Sequence, residues 1–130
     1  MKLGKRTYAP DKRAFLTYVA DIAGNDEANG NLRHYIDFST DCGEWGCPSH
    51  EKAETKFRDD VTMRLIERAG LDAEDIDCLL GGDLLNQIVP SSFSARSFAI
   101  PFSGLYCACA TFGQSLAIAS MMIGAGMSKV

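Results

Sequence analysis

The sequence predicts an α/β fold in which helices pack against the faces of a parallel or mixed sheet. Strand-like and helical stretches alternate along most of the chain, and polar groups follow two of the predicted strands. The last third, residues 101–129, passes from a strand-like run through a corner that contains cysteines into a helix of small residues. Such alternation is typical of a sheet covered by helices. With 130 residues the chain is long enough for one domain with a sizeable core.

Composition and charge exclude several classes of protein. The formal net charge is −4 and no basic run occurs, so the electrostatic footprint of a nucleic-acid-binding protein is missing. Residues 2–12 are mostly polar and contain no apolar run, which does not match a secretory signal peptide. The five cysteines would leave one thiol unpaired in a disulfide framework. We therefore expect a soluble protein that is kept in a reducing compartment.

The first 48 residues predict one strand and a long loop. The run FLTYVA, residues 15–20, is rich in apolar and β-branched side chains and predicts the first strand. Residues 21–48 are rich in Gly, Asn, Asp and Ser, with a tight turn expected at Asn29-Gly30. We expect Trp45, the single tryptophan, to pack this loop onto the body of the protein.

The middle of the chain gives the clearest helix. Ser49 is a good N-cap and Gly70 a good stop, and between them apolar residues recur about every four positions. A capped turn at 71–75 then leads into a buried strand at 76–82. Ser91 or Ser92 is expected to cap a third helix that runs through Phe98.

Residues 101–129 contain the chemistry-bearing corner. A short strand at 102–106 runs into Cys107 and Cys109, and from Thr111 onward every face of the predicted helix is apolar or small. Such a helix is expected to be buried on all sides, and at about 15 residues it is too short to cross a bilayer. At the first turn of this helix, free N–H groups would favour the thiolate of Cys109 or hold an anionic oxygen. A buried Cys109 that only packs is the alternative.

Two polar stretches are expected to meet at one edge of the sheet. Residues 83–86 and 107–109 each follow the carboxyl end of a predicted strand. Because ligands of open α/β sheets bind outside the carboxyl ends of the strands, this edge is the predicted site.

Three segments carry a family resemblance: GGDLLNQ at 81–87, ARSFAIPFSGLYCACAT at 95–111 and HEKAE at 50–54. Together they resemble the stage V sporulation protein AD family of spore-forming bacteria, a branch of the thiolase-like fold. The resemblance implies a layered α-β-α-β-α architecture with a mixed sheet, built from two similar halves that each centre on a buried helix. Residues 1–130 would be a single N-terminal half-domain and a fragment of a longer chain, paired with a second half or in a homodimer.

The resemblance also implies a function. The family is thought to bind dipicolinic acid without catalysis and to take part in its uptake into the developing spore and its release in germination. Its implied partners are membrane proteins of the stage V sporulation A operon. Its implied location is the cytoplasmic side of the inner membrane of the forespore or spore, or peripheral to that membrane. Carried over by position, the ligand-binding residues are Asp83, Leu84, Asn86, Cys109 and Thr111.

The implied site needs no catalytic residue, no resident metal and no cofactor. Cys109 takes the nucleophile position of the condensing enzymes, whose histidine and asparagine partners come from the other half. Asp83 would repel a dianionic ligand, and calcium carried with dipicolinate would relieve this repulsion because carboxylate oxygens suit calcium.

Three alternatives stay open at this point. An acyl-transfer or condensing enzyme would use Cys109 as nucleophile, although His34 and His50 are predicted away from the corner. A metal module would combine Cys42 and Cys47 with Cys107 and Cys109, at spacings unlike the usual zinc pairs. A scaffold without a ligand of its own would use its exposed apolar faces to assemble with a partner.

Overall fold

The computed structural model describes residues 2–84 and 88–130, and it has the mixed α/β character that the sequence predicts. Within these residues helices and short strands alternate, joined by turns that include 3₁₀ segments at Arg33–Tyr35, Ala73–Asp75 and Ala108–Ala110. The elements are β1 (Ile22–Ala23), α1 (Asn25–Ala28), β2 (Phe38–Ser39), α2 (His50–Ala69), β3 (Leu79–Gly81), α3 (Val89–Phe98), β4 (Phe102–Gly104) and α4 (Thr111–Gly124).

The strands form two separate parallel pairs. β1 pairs with β2, with Ile22 opposite Phe38. β3 pairs with β4, with Leu79 opposite Phe102 and Gly81 opposite Gly104. A parallel pair needs a crossover connection, and α3 lies in the connection from β3 to β4. The predicted parallel arrangement is therefore confirmed, in smaller sheets than the sequence suggests.

Helix α2 begins and ends as its sequence predicts. The Ser49 hydroxyl accepts a hydrogen bond from the Lys52 backbone N–H at 3.4 Å, which satisfies one of the free donors of the first turn. Gly70 ends the helix in the left-handed region with φ of 66°, a conformation that favours glycine. α2 packs on α3, and Ala53 of α2 and Ala95 of α3 are both buried.

The N-terminal third differs from its prediction. Residues 15–20 lie in no strand of the described chain, and Phe15 is 76% exposed. Strand formation needs a neighbour, and the Val19 carbonyl accepts a hydrogen bond from the Arg68 side chain instead. Residues 21–48 are likewise not one continuous loop, because they contain β1, α1 and β2.

Trp45 packs as predicted. Its ring lies 5.9 Å from the ring of Phe38 and 5.0 Å from that of Phe57, centroid to centroid. The Lys56 ammonium lies 4.7 Å from the Trp45 ring centroid, within cation–π distance. The loop is thereby attached to α2.

Two predicted helix properties are wrong. α3 begins at Val89 and not at a Ser91 or Ser92 cap, because Pro90 suits the first helical turn and a carboxylate from the strand end supplies the cap. α4 is not buried on all sides: Thr111 is buried, but Phe112 is 73% exposed and Leu116 is 44% exposed. One side of α4 packs on β3, and Pro10 of the N-terminal segment approaches Gly124 at the end of the helix, while Phe112 and Leu116 stay exposed.

Candidate functional site

The carboxyl ends of β3 and β4 lie side by side and touch at Gly82. The Leu105 N–H donates to the Gly81 carbonyl at 2.7 Å, which continues the ladder beyond β4. A Cβ atom at Gly82 would lie 1.9 Å from the Leu105 carbonyl oxygen and 3.0 Å from Thr111 Cγ2. Only a residue without a side chain fits there. The two strand ends therefore meet, whereas a contact between residues 83–86 and 107–109 and ligand binding at this edge both stay predictions.

Asp83 caps helix α3 from outside the helix. Its side chain is buried, with 4% of the residue exposed, and Oδ2 accepts a hydrogen bond from the Ser91 N–H at 3.0 Å. A carboxylate at a helix N-terminus satisfies a free donor and complements the helix dipole. Asp83 Oδ1 and Ser91 Oγ are also buried, and neither has a hydrogen-bond partner within residues 2–84 and 88–130. One carboxylate oxygen thus bonds to the α3 terminus, and the other has no partner among residues 2–84 and 88–130.

The cysteine corner is held by Thr111. Its hydroxyl oxygen accepts a hydrogen bond from the Cys107 N–H at 3.3 Å, and the Ala110 N–H donates to the Cys107 carbonyl at 2.9 Å. Ala108 has φ of 46°, in the left-handed region that is uncommon for residues other than glycine. Cys109 is exposed on this corner, so the packing alternative for its thiol is wrong.

The N-terminus of α4 has no side-chain cap among the described residues. The Thr111 N–H donates to the Ala108 carbonyl of the preceding 3₁₀ turn, and no described side chain caps the rest of the first turn, in contrast to α3, where Asp83 accepts from the Ser91 N–H. This is the electrostatic feature expected for the corner, and it stands one turn from the exposed Cys109.

Leu84 and Asn86 complete the set of predicted site residues. Leu84 is 67% exposed and lines a surface hollow of about 380 Å³ with His50 and Phe57 of α2. Asn86 lies outside the described residues. The structure thus joins Asp83 to Thr111 through Gly82 and directs Leu84 toward α2.

Arg58 is a site neighbour that the sequence reasoning missed. Its guanidinium donates to the Gly82 carbonyl and forms an ion pair with Glu54 at 2.9 Å. It therefore places a positive charge beside the strand end that carries Asp83. The Glu54–Arg58 spacing of four residues signals an ion pair on one helix face, but not that this face meets the sheet edge.

The four thiols of the metal hypothesis are not assembled. Within the described part of the chain, no three or more His, Cys, Asp or Glu side chains are grouped so as to hold a metal ion. Cys42, Cys47, Cys107 and Cys109 therefore form no such group in the described structure.

Comparison with known proteins assigns the chain. A family model described as Stage V sporulation protein AD (SpoVAD) matches residues 4–130. The chain belongs to the SpoVAD family. It is 35% identical over 130 residues to the Stage V sporulation protein AD of Bacillus subtilis (strain 168). The match covers 99% of this chain and 38% of that relative's length.

Membership of the SpoVAD family confirms the predicted resemblance and implies a sporulation-related role. Among the described helices, none is long and apolar enough to span a bilayer.

Proposed function

We propose that this SpoVAD chain binds dipicolinic acid at the carboxyl edge of β3 and β4, without catalysis, and serves its uptake into the developing spore and its release in germination. The observation that carries the proposal is the contact of Gly82 with Leu105 and Thr111, which brings the Asp83 strand end against the cysteine corner. A ligand at this edge meets an uncapped helix N-terminus on one side and a buried carboxylate on the other.

The chemistry of the edge suits a planar dianion. First-turn N–H groups of α4 beyond that of Thr111, which donates to Ala108, would receive one carboxylate, as helix N-termini do for anions generally. The exposed Leu84 side chain would offer an apolar wall to the ring, and Arg58 would offset part of the negative charge. A polar group combined with apolar walls is typical of small-molecule sites.

Asp83 fits this proposal as a capping group with a spare oxygen. Oδ2 is used by the Ser91 N–H, which keeps the α3 terminus in place. Oδ1 is unpartnered within the described residues and would accept a calcium ion carried in by the ligand. In this view the protein needs no resident metal, because the cation arrives with dipicolinate.

The proposed role is binding and not acyl transfer. A nucleophilic cysteine needs a base within hydrogen-bond reach. His34 contacts Arg33 in the 3₁₀ turn, and His50 stands at the start of α2, beside Leu84. Within the described chain neither histidine hydrogen-bonds to Cys109.

The proposal includes a thiolase-like, layered assembly. The exposed apolar side of α4, with Phe112 and Leu116, supports a paired second half or a second copy that covers this helix. We place the assembly at the inner membrane of the forespore, together with membrane proteins of its operon.

Isothermal titration of dipicolinate into the full chain tests the proposal. We expect saturable binding that tightens when equimolar calcium is present, and benzoate as a monocarboxylate control should bind more weakly. Absence of heat with dipicolinate, both with and without calcium, would overturn the proposed function.

A further inference from the structure

A second concave surface lies between α2 and α3, away from the β3–β4 edge. It is an open groove of about 620 Å³, with the first two and a half turns of α2 as one wall and α3 as the other. None of its lining residues belongs to the proposed dipicolinate site. A groove of this size between two packed helices is large enough to receive side chains of a partner.

The α3 wall presents an apolar pair to the groove. Val89 and Phe93 lie one helical turn apart, line the groove, and are 40% and 56% exposed. Ser94 and Ala95 of the same helix are buried, so α3 has a separate side that belongs to the interior. Val89 and Phe93 therefore form a second apolar side of α3 that stays accessible in the described chain.

The exposed charges around this apolar pair are positive. Lys52 and Lys56 lie one turn apart on α2, Arg96 lies on α3, and all three are exposed and line the groove. Within residues 2–84 and 88–130 none of them forms an ion pair. The Lys56 ammonium donates to the Trp45 carbonyl at 3.2 Å and lies over the indole ring, contacts that hold the charge in place without neutralising it.

The two acidic residues of the groove are less accessible. Glu51 and Asp59 are both half-buried, and Asp59 Oδ1 is fully buried. The protein as a whole carries a net charge of −4, so an exposed cluster of three cations contrasts with its average surface. Because complementary charges steer and orient association, this groove suits a partner that carries carboxylates.

The shape of the surface favours a protein segment over a membrane. Cations beside exposed apolar side chains attract both acidic peptides and anionic lipid surfaces. A flat bilayer surface cannot fill a hollow between two helices, whereas an amphipathic helix lays apolar side chains one turn apart into such a groove. The concave arrangement of Phe93 between the two basic walls therefore points to a helix.

We propose that the α2–α3 groove binds an acidic amphipathic helix of a partner protein. The apolar side of that helix packs on Val89 and Phe93, and its carboxylates pair with Lys52 and Arg96 at the two walls. This interaction uses a surface separate from the β3–β4 edge and does not depend on dipicolinate binding.

The test measures the binding of two fluorescently labelled helical peptides to the full chain by fluorescence anisotropy. One peptide carries leucines one turn apart on one side and glutamates at the flanking positions, and the other has lysine in place of every glutamate. We expect saturable binding of the acidic peptide that weakens as salt screens the exposed charges, and binding of the lysine peptide that is weaker by about tenfold or more. Equal binding of the two peptides, or no binding of the acidic one, would overturn the proposal.

Groove variants and matched surface variants locate the binding. Phe93→Ser removes the exposed aromatic side chain, and Lys52→Glu reverses a wall charge at the third position of α2, where glutamate also favours helix initiation. Each should weaken binding of the acidic peptide about tenfold. Phe15→Ser and Lys5→Glu, at exposed positions outside the groove, should bind it as the unsubstituted protein does.

Phosphatidylglycerol vesicles test the membrane alternative. If the protein sediments with these vesicles, loses that property in Phe93→Ser and Lys52→Glu, and does not bind the acidic peptide, the groove recognises a lipid surface and the proposal is wrong. Groove variants that bind the peptide as tightly as Phe15→Ser and Lys5→Glu do would also contradict it, because the peptide would then bind elsewhere.

Discussion

Gly82 and Leu105 come so close that a methyl group on Gly82 would lie 1.9 Å from the Leu105 carbonyl oxygen. The contact joins the end of β3 to the segment that follows β4, immediately before the cysteine corner. The backbone of Gly82 has no positive φ, so its conformation does not require glycine. Glycine is needed there because a side chain would clash with Leu105. The proposed binding edge depends on this approach.

Gly82→Ala should therefore disrupt the edge. The added methyl must separate the two chain segments, and we expect a loss of about 3 kcal/mol or more in the free energy of unfolding. Gly113→Ala is the matched control, because a Cβ there meets open space within α4 and should be neutral or stabilising by about 0.5–1 kcal/mol. Urea unfolding of both variants decides the matter, and equal stabilities would contradict the steric explanation.

The Asp83 cap makes a second prediction. Asp83→Ala leaves the Ser91 N–H without its acceptor and should lower the free energy of unfolding by about 1–3 kcal/mol. Asp83→Asn keeps an oxygen for that N–H and should retain most of the stability, because Asn and Asp are comparable caps. If both variants are equally destabilised in urea, the carboxylate does not act through this hydrogen bond.

The ion pair of Asp37 with Arg68 predicts a pH dependence. The hydrogen bond from Arg68 at 2.8 Å lowers the pKa of the Asp37 carboxyl, whose value in the unfolded chain is about 3.9. A carboxyl with a lowered folded pKa stabilises the protein above the unfolded pKa, and this contribution is lost as pH falls through the lower folded value.

Asp37→Asn should accordingly flatten the acid side of the stability profile, with its largest effect near neutral pH and little effect near pH 2. Thermal unfolding measured from pH 2 to 7 checks this. Asp41→Asn, which removes an exposed carboxylate with no ion pair in the described chain, is the control. Identical profiles for the two variants would rule out a role for the ion pair.

The exposed side of α4 predicts self-association. Phe112 and Leu116 lie one turn apart on the same face and remain 73% and 44% exposed. We expect the purified chain to form dimers or larger species, and Phe112→Ser to shift it toward the monomer. Leu32→Ser, at another exposed apolar side chain, should have no such effect. A well-behaved wild-type monomer by light scattering would contradict a covered α4 face.

Capping residues, glycine stops and apolar periodicity correctly predicted those helices and strands that are determined by residues close in sequence. The Ser49 cap, the Gly70 stop and the alternation of β3, α3 and β4 all follow from neighbouring residues. The approach of the β3 end to the segment that follows β4 follows from the topology of parallel strands.

The failures depend on tertiary neighbours that one sequence does not reveal. Apolar composition at residues 15–20 and in α4 predicts burial only if something packs against them, and the described chain leaves most of residues 15–20 and one side of α4 exposed. The cap of α3 comes from Asp83, eight residues before Ser91, and not from the serines inside the helix. Arg58 donates a hydrogen bond to the Gly82 carbonyl. The charged residues on that face of α2 predict only exposure to solvent, so the contact could not be read from the sequence.

The most direct test of the central claim is an amide NMR titration of the full chain with dipicolinate in the presence of calcium. We expect chemical-shift changes concentrated at Gly82, Asp83, Ser91 and residues 107–113, where the strand end, the α3 cap and the α4 terminus meet. Changes confined to residues outside this edge, or no changes at saturating dipicolinate, would contradict the proposed site.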